Sequence, residues 1–291
     1  MKKITKVVIP AAGFGTRFLP QTKALPKEML PIVDKPVIQY VVEEAVNAGI
    51  EDVIIVTGYT KRAIEDHFDI PNAELVNNLK QGNKLELLNE VKKISELANF
   101  VYIRQKGPYG NATPIKSAQH LIYDEPFLVL WGDDFVYATP SRAQQLIDSF
   151  YKYRTTILCG IKTNKKEDAD RYAFVKGEEI EKGVWRVNRL IEKPGIKNLP
   201  SNLAIVSGYV LTHDIFPILN TQKPGTGGEY YLAEAIDTLA QHHPVFAIEI
   251  KNSRYYDTGN KFEYLKTVVE FGLRHPDLNG DFRRYLKNLK L

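Results

Sequence analysis

Three cations, Arg17, Lys23 and Lys27, follow a run of small residues, Ala11-Ala12-Gly13-Phe14-Gly15, and are held among Pro20, Pro26 and Pro31. Small residues let backbone N–H groups approach a ligand closely, and such a nest favours anions. An open backbone loop beside fixed positive side chains suits a phosphate-rich ligand. Further along, an apolar run ends in Gly132-Asp133-Asp134. Paired carboxylates at a strand end are good ligands for Mg²⁺, a hard ion that takes carboxylate and phosphate oxygens. In isolation such a pair is more often a turn or a helix cap. Asp257-Thr258-Gly259 adds another acid and Glu192-Lys193-Pro194 another cation. Alone, the first is equally well a turn and the second an ordinary exposed lysine. The run Gln105-Lys106-Gly107-Pro108-Tyr109-Gly110 reads, on its residues alone, as a turn.

Two familiar phosphate loops are excluded. A dinucleotide fingerprint needs a third glycine where this chain has Phe18, and no Gly-Lys followed by Ser or Thr exists for a P-loop. The elements that must position the loop are legible around it. Val7-Val8-Ile9 is a buried strand. Asp34-Lys35-Pro36 reads as a helix start with Asp34 as N-cap, and Ile38, Val41, Val42 and Ala45 continue it at helical spacing to Gly49. Residues 52–57, DVIIVT, form the next strand. Strand, helix and strand in short succession make a βαβ unit, hence a parallel sheet that binds ligands at the carboxyl ends of its strands.

Beyond this unit, strands are expected over residues 100–104, 127–131, 155–161, 172–175, 184–191, 203–211 and 245–250. Helices are expected over 61–68, 85–97, 114–121, 141–152, 212–219 and 230–241, and a helical tail over 261–275 and 281–291. Residues 72–81 read as polar and irregular. The fold class is α/β: a Rossmann-like, mixed, mostly parallel central sheet flanked by helices, with a helical C-terminal extension. With no repeat or linker, residues 1–278 read as one domain and 279–291 as its tail.

Composition narrows the function. The 291 residues are 44% apolar and 25% charged, an ordinary globular balance. A net charge of +4 is too mild to argue for nucleic acid or a membrane surface. There is no apolar run of membrane-spanning length and no signal-like segment, and the lone Cys159 excludes an internal disulfide. A cytoplasmic location is expected. Cys159 lies in an apolar strand and reads as core, and the six histidines form no metal constellation.

The block from Val7 to Pro31, with G-x-G-T-R and then P-K-E-M-L-P, resembles the signature of the sugar-nucleotide pyrophosphorylases. The resemblance runs from Lys6 to about Leu278, and FGLRHPDL from Phe271 to Leu278 is similar to the branch that joins UTP and glucose 1-phosphate. It implies a nucleotidyltransferase making UDP-glucose and pyrophosphate by Mg²⁺-assisted in-line displacement. It implies nucleotide contacts at Ala11, Ala12, Gly13, Gly15, Gln105, Gly110 and Asp133. A glutamine amide both donates and accepts, as a pyrimidine edge requires. It also implies sugar contacts at Tyr172, Ala173, Glu192 and Lys193, and metal ligation by Asp133 and Asp257, with Asp134 a weaker candidate. Arg17, Lys27 and Lys193 are the expected catalytic cations. A homodimer or homotetramer assembled through the C-terminal helices is also implied.

Four departures touch the substrate positions. Asn111-Ala112-Thr113-Pro114 stands for the usual Leu-Gly-His-Ala, and Gly132 for the proline of Pro-Asp-Asp. Tyr172-Ala173 replaces Tyr-Gly, and Ser207-Gly208-Tyr209 replaces Gly-Arg-Tyr. A methyl group or a lost arginine beside a sugar retunes specificity by about 1–3 kcal/mol. Another sugar 1-phosphate, dTTP, or a catalytically silent regulatory paralogue are therefore the alternative readings.

Overall fold

The structure is a computed structural model and describes residues 2–290. Its first strand, β1 (Lys6–Ala11), buries Val7, Val8 and Ile9 completely. Removing side chains of this size from water contributes about 1.5–3 kcal/mol each. A short hairpin follows, β2 (Pro31–Ile32) and β3 (Lys35–Pro36). Then come β4 (Asp52–Thr57), β5 (Asn99–Arg104), β6 (Phe127–Val129), β7 (Asp134–Ala138) and β8 (Thr156–Lys162). The remainder are β9 (Ala173–Glu181), β10 (Val184–Glu192), β11 (Leu203–Leu211), β12 (Val245–Glu249) and β13 (Ser253–Asp257).

One 9-stranded sheet has the order β5-β4-β1-β6-β11-β8-β12-β10-β9. β5, β4, β1 and β6 are parallel, as are β8 and β12, whereas β11 and β10 run against their neighbours. Followed across the sheet, every strand but β11 and β10 points the same way, which is the mixed, mostly parallel sheet expected. The carboxyl ends of β1, β4, β5 and β6 therefore share one edge. The β9–β10 hairpin crosses back over the sheet. β10 begins against β12, while Ala173 and Phe174 pair with Ile205 and Ala204 of β11. This crossing carries Ala173 and its partner Glu192 beside the middle strands.

The two faces of the sheet hold separate cores. Helices Val37–Asn47 and Arg142–Tyr153 bury Val41, Val42, Leu146 and Phe150 on one face. Helices Ile215–Thr221 and Leu232–Ala240 bury Phe216, Leu232 and Ile236 on the other. A second sheet pairs β7 with β13 antiparallel and sets Asp134 opposite Asp257. The helix Lys261–Gly272 covers it, with Phe271 edge-on to Tyr40, Phe135 and Tyr256. The last helix, Asn279–Asn288, rests on that helix through Phe282, whose ring would lie 2.9 Å from a Cβ at Gly272. No helix of the described residues is long and apolar enough to cross a membrane.

Several local expectations differ from the structure. Asp34 is not a helix cap. Pro36 holds the N-cap position, and Asp34 turns the β2–β3 hairpin with its carboxylate 3.0 Å from His275 Nε2. The proline disfavours helical backbone at Lys35, so the chain stays extended and pairs with Pro31–Ile32. Residues 72–81 are ordered: Ala73–Gln81 is a helix whose N-cap Asn72 accepts from the Leu75 N–H at 2.9 Å. Its polar composition hid it because it buries little beyond Leu79. β9 runs past residue 175 to Glu181 because its outer half is an exposed charged ribbon with no apolar signal. Neither β7 nor β13 stands out as an apolar run, and both were missed.

Candidate active site

At the shared strand edge two cavities adjoin. One, of about 550 Å³, is lined by Ala12, Gly13, Phe14, Lys27, Gln105, Tyr109 and Gly110. The other, of about 380 Å³, is lined by Tyr172, Ala173, Glu192, Lys193, Arg171 and Asp257. Arg17, Asn111, Trp131 and Asp133 line both and form the seam between them. The expected cations and acids, drawn from β1, β6, β10 and β13, thus converge on one cleft. A larger cavity of about 890 Å³ lies elsewhere, beside Lys162 and Lys182. Lys162 there is matched by Glu249 at 2.7 Å, and none of the site residues expected from sequence lines it.

The loop after β1 is shaped by its glycines. Gly15 has a left-handed backbone, φ 65°, and its carbonyl accepts from Thr22 Oγ1 at 2.7 Å. It packs over Thr22 and Lys27 and does not line the cavity. Ala11 also stays out of the cavity wall, because its methyl is buried in the core as the end of β1. Ala12, Gly13 and Phe14 are the members of the loop that face the space. Gly58, not anticipated, lets the end of β4 approach: a Cβ there would stand 2.7 Å from the Ala12 carbonyl.

Lys27 reaches under this loop to Asp133, with Nζ 2.5 Å from Oδ2. Burial works to lower the lysine's pKa, but Asp133 and Glu28 outweigh it and hold the ammonium above its ordinary value. Behind it Glu28 is fully buried against Lys61 at 2.7 Å, and its Oε1 has no hydrogen-bond partner. Burial pushes the Glu28 carboxyl up, against the pull of Lys61 and Lys27.

The β7–β13 ladder brings the two distant aspartates together. Thr258 Oγ1 donates to the Asp133 carbonyl at 2.5 Å, and the Gly259 N–H donates to Asp257 Oδ1 at 3.0 Å. A Cβ at Gly259 would lie 3.1 Å from Asp257 Oδ1 and 3.4 Å from Asp133 Oδ2. Both carboxylates therefore face the gap beside that glycine, with Arg17 across it donating to the Gly259 carbonyl at 3.4 Å. Arg171 NH2 is hydrogen-bonded to Asp257 Oδ2, and Tyr172 Oη donates to the same oxygen at 3.4 Å.

Asp134 does not share the gap. Successive strand residues face opposite ways, and Asp134 is buried, accepting from Tyr255 Oη at 3.2 Å. Burial pushes its carboxyl up to about 7, opposed by Arg142 at 3.4 Å. Arg142 is fully buried, with NH2 2.7 Å from Glu44 Oε2 and NH1 2.9 Å from the Ser207 carbonyl. This explains one departure. Gly208, at φ 124°, has no room for a side chain because a Cβ would meet Arg142 Cδ at 2.9 Å.

At the outer ends, Lys193 Nζ lies 3.6 Å from Glu192 Oε1 and above the Tyr231 ring. Burial raises the Glu192 carboxyl, against the pull of Lys193. Gly110 is required where it stands. Its φ is 132°, and a Cβ would fall 2.2 Å from the Tyr230 carbonyl oxygen. Its neighbour Asn111 accepts from the Leu232 N–H at 2.7 Å, so this departure holds the first turn of the helix Leu232–Ala240. Cys159 is buried in β8, with its thiol pushed up to about 12 by burial, and is core as expected.

No cluster of three or more metal-ligating side chains occurs among the described residues. Two carboxylates facing one gap nevertheless fit a magnesium-type ion, which keeps waters and takes its other oxygens from substrate phosphates. Arg171, Trp131, Tyr255 and Gly259 were missed as site residues. Arg171 directly precedes the expected Tyr172 and Gly259 closes the expected Asp-Thr-Gly, so adjacency was the available signal.

The nucleotidyl transferase family model matches residues 6–271. The chain belongs to the nucleotidyl transferase family. Enzymes of this family generally use a divalent metal. The UTP–glucose-1-phosphate uridylyltransferase of Bacillus subtilis is 47% identical over 289 residues, covering 99% of this chain and 98% of that protein. The enzyme of the same name from Staphylococcus epidermidis is 45% identical across 100% of both chains. Among solved structures, UDP-glucose pyrophosphorylase complexed with UDP-glucose superposes with a TM-score of 0.84 at 39% identity, over 94% of this chain and 100% of that one. The UTP-bound UGPase of Acinetobacter baumannii does so at 0.89 and 34% identity, over 99% and 100%.

Proposed function

We propose that this chain is a UTP–glucose-1-phosphate uridylyltransferase that uses Mg²⁺. The observation that carries the reading is the seam: Arg17 and Asp133 border both cavities, so a triphosphate in one and a sugar phosphate in the other meet between them. Full-length relatives named for this reaction support the choice of substrates.

In this reading UTP occupies the larger cavity. Gln105 and the Gly110 backbone face uracil, and the backbone of Ala12 and Gly13 faces the base and ribose, with Ala11 and Gly15 shaping the loop. The hexose lies against Tyr172, Ala173 and Glu192, and Lys193 holds its phosphate. A phosphate oxygen of the sugar attacks the α-phosphorus, a new P–O bond forms, and the bond to the β-phosphate bridging oxygen breaks to release pyrophosphate. The attacking oxygen is ionised near neutral pH because the second phosphate pKa is about 6, so no general base is required. The barrier is electrostatic, and fixed cations lower it by positioning and by neutralising charge. Arg17 forks onto the departing phosphates, and Lys27 faces the α-phosphoryl group. When bound by Asp133 and Asp257, Mg²⁺ supplies further neutralisation of the phosphate oxygens.

The same reading takes residues 1–278 as the catalytic domain, 279–291 as a helical tail, and the protein as a cytoplasmic homodimer or homotetramer. Pyrophosphate release from a panel of sugar 1-phosphates, each offered with UTP and with dTTP, tests it. Glucose 1-phosphate with UTP is expected to give the highest kcat/KM. A faster pairing with another sugar or dTTP would reassign the substrate, and no turnover in any pairing would sink the enzyme reading.

A further inference from the structure

Each carboxylate at the seam is already engaged by a protein cation. Lys27 holds Asp133 Oδ2 and Arg171 holds Asp257 Oδ2. Arg171 is placed to let go. It follows the turn Lys166–Asp170, its side chain is 31% exposed, and it lines the smaller cavity. A second acid, Asp168, stands 3.6 Å from its NH1, and its guanidinium lies above the Tyr172 ring. If Asp257 were taken by another cation, Arg171 would keep both of these supports. By contrast, the other Asp257 oxygen is fixed by the Gly259 N–H and needs no rearrangement.

We propose that Arg171 is a place-holder for the divalent metal: it occupies Asp257 in the substrate-free protein, keeps metal binding there weak, and yields the carboxylate when metal enters. The inference rests on the assignment of Asp133 and Asp257 as metal carboxylates made above. A guanidinium–carboxylate hydrogen bond is charge-assisted and stronger than a neutral one. An ion entering the gap beside Asp257 Oδ1 must share the carboxylate with the guanidinium on Oδ2, or displace it. A triphosphate relieves both costs, because its oxygens offer Lys27 and the metal a common anionic partner. Metal is therefore retained chiefly together with nucleotide. Lys27 does the same for Asp133, but it also faces the reacting phosphates in the proposed function, so Arg171 is the residue that isolates the effect.

The test is Mn²⁺ binding to the full-length protein without nucleotide or sugar, followed by electron paramagnetic resonance. Mn²⁺ takes the same oxygen donors. R171Q and R171A are each expected to tighten Mn²⁺ binding by about tenfold or more, the equivalent of one charge-assisted hydrogen bond. R171K is expected to stay near wild type. Unchanged or weaker binding in R171Q overturns the proposal, because a merely structural role for Arg171 would loosen the site, not tighten it. Should R171A fail to fold, R171Q retains length and hydrogen-bonding capacity and decides the matter alone. The double variant R171Q/D257N separates the two readings. Loss of the tightened binding supports both, whereas its survival shows that Asp257 is not the metal carboxylate and that the assignment beneath the proposal has failed.

Discussion

A single methyl group at position 259 should separate the role of the gap between Asp133 and Asp257 from that of the fold. Gly259 does not have a left-handed backbone, so alanine there carries no conformational penalty of that kind and restricts the unfolded chain slightly. Its Cβ would lie 3.1 Å from Asp257 Oδ1, 3.4 Å from Asp133 Oδ2 and 3.7 Å from Arg17 NH1. The first distance is tighter than ordinary van der Waals contact, so the carboxylates must part by a few tenths of an ångström. An ion bonded to both at about 2.0–2.1 Å would need the space the methyl enters. The expected cost is about 100-fold in kcat/KM, or about 2.7 kcal/mol of transition-state stabilisation. Unfolding free energy in urea is expected to stay within about 1 kcal/mol of wild type. Pyrophosphate-release kinetics and equilibrium unfolding on the same preparation measure both. Turnover within threefold of wild type would refute the claim that the gap is used, and a loss of stability above about 3 kcal/mol would make Gly259 a structural residue instead.

Three other outcomes follow from the same geometry. Arg142→Ala strands Glu44 and Asp134 as buried acids, so urea unfolding should show a loss of about 3–5 kcal/mol, partly restored by adding Glu44→Gln. Burial raises the folded pKa of Asp134 to about 7, against about 3.9 for an ordinary aspartate, so its contribution to stability is present below about pH 4 and is lost as pH rises to about 7. Asp134→Asn should remove that slope, and melts at pH 5 and pH 8 should show the variant gaining on wild type at the higher pH; a constant difference would contradict this. Gly110→Ala must move the loop off the Tyr230 backbone, and UTP binding by calorimetry should weaken about tenfold or more; unchanged affinity would place uracil elsewhere.

The parts of the molecule legible from sequence were those encoded locally. Val7-Val8-Ile9 and DVIIVT are apolar runs that only a sheet covered on both faces accommodates, and the helix between them repeats Ile38, Val41, Val42 and Ala45 on one buried face. The loop cations and the acid after β6 were legible because strand ends in such sheets face one edge. What escaped was encoded by partners far along the chain. β7 and β13 pair across a long separation, and their short runs, DFVYA and SRYYD, mix polar and aromatic residues and carry no apolar run to mark a strand. Arg171 sits in a charged loop where spacing carries no information, and it acquires meaning only from Asp257. Asn111 reads in the sequence only as a departure at a substrate position, yet it anchors a helix first turn assembled from residues near 232. Asp34 failed as a cap because the strand pairing of Lys35–Pro36 outweighed a local capping preference.

The ladder that unites the aspartates also sets when the protein can first act. β13 is the last strand among the described residues and pairs with β7 from the middle of the chain, so the phosphate-binding loop has no second acidic neighbour until the chain as far as Asp257 has docked. Docking of that one strand brings Asp257 to the gap in a single step.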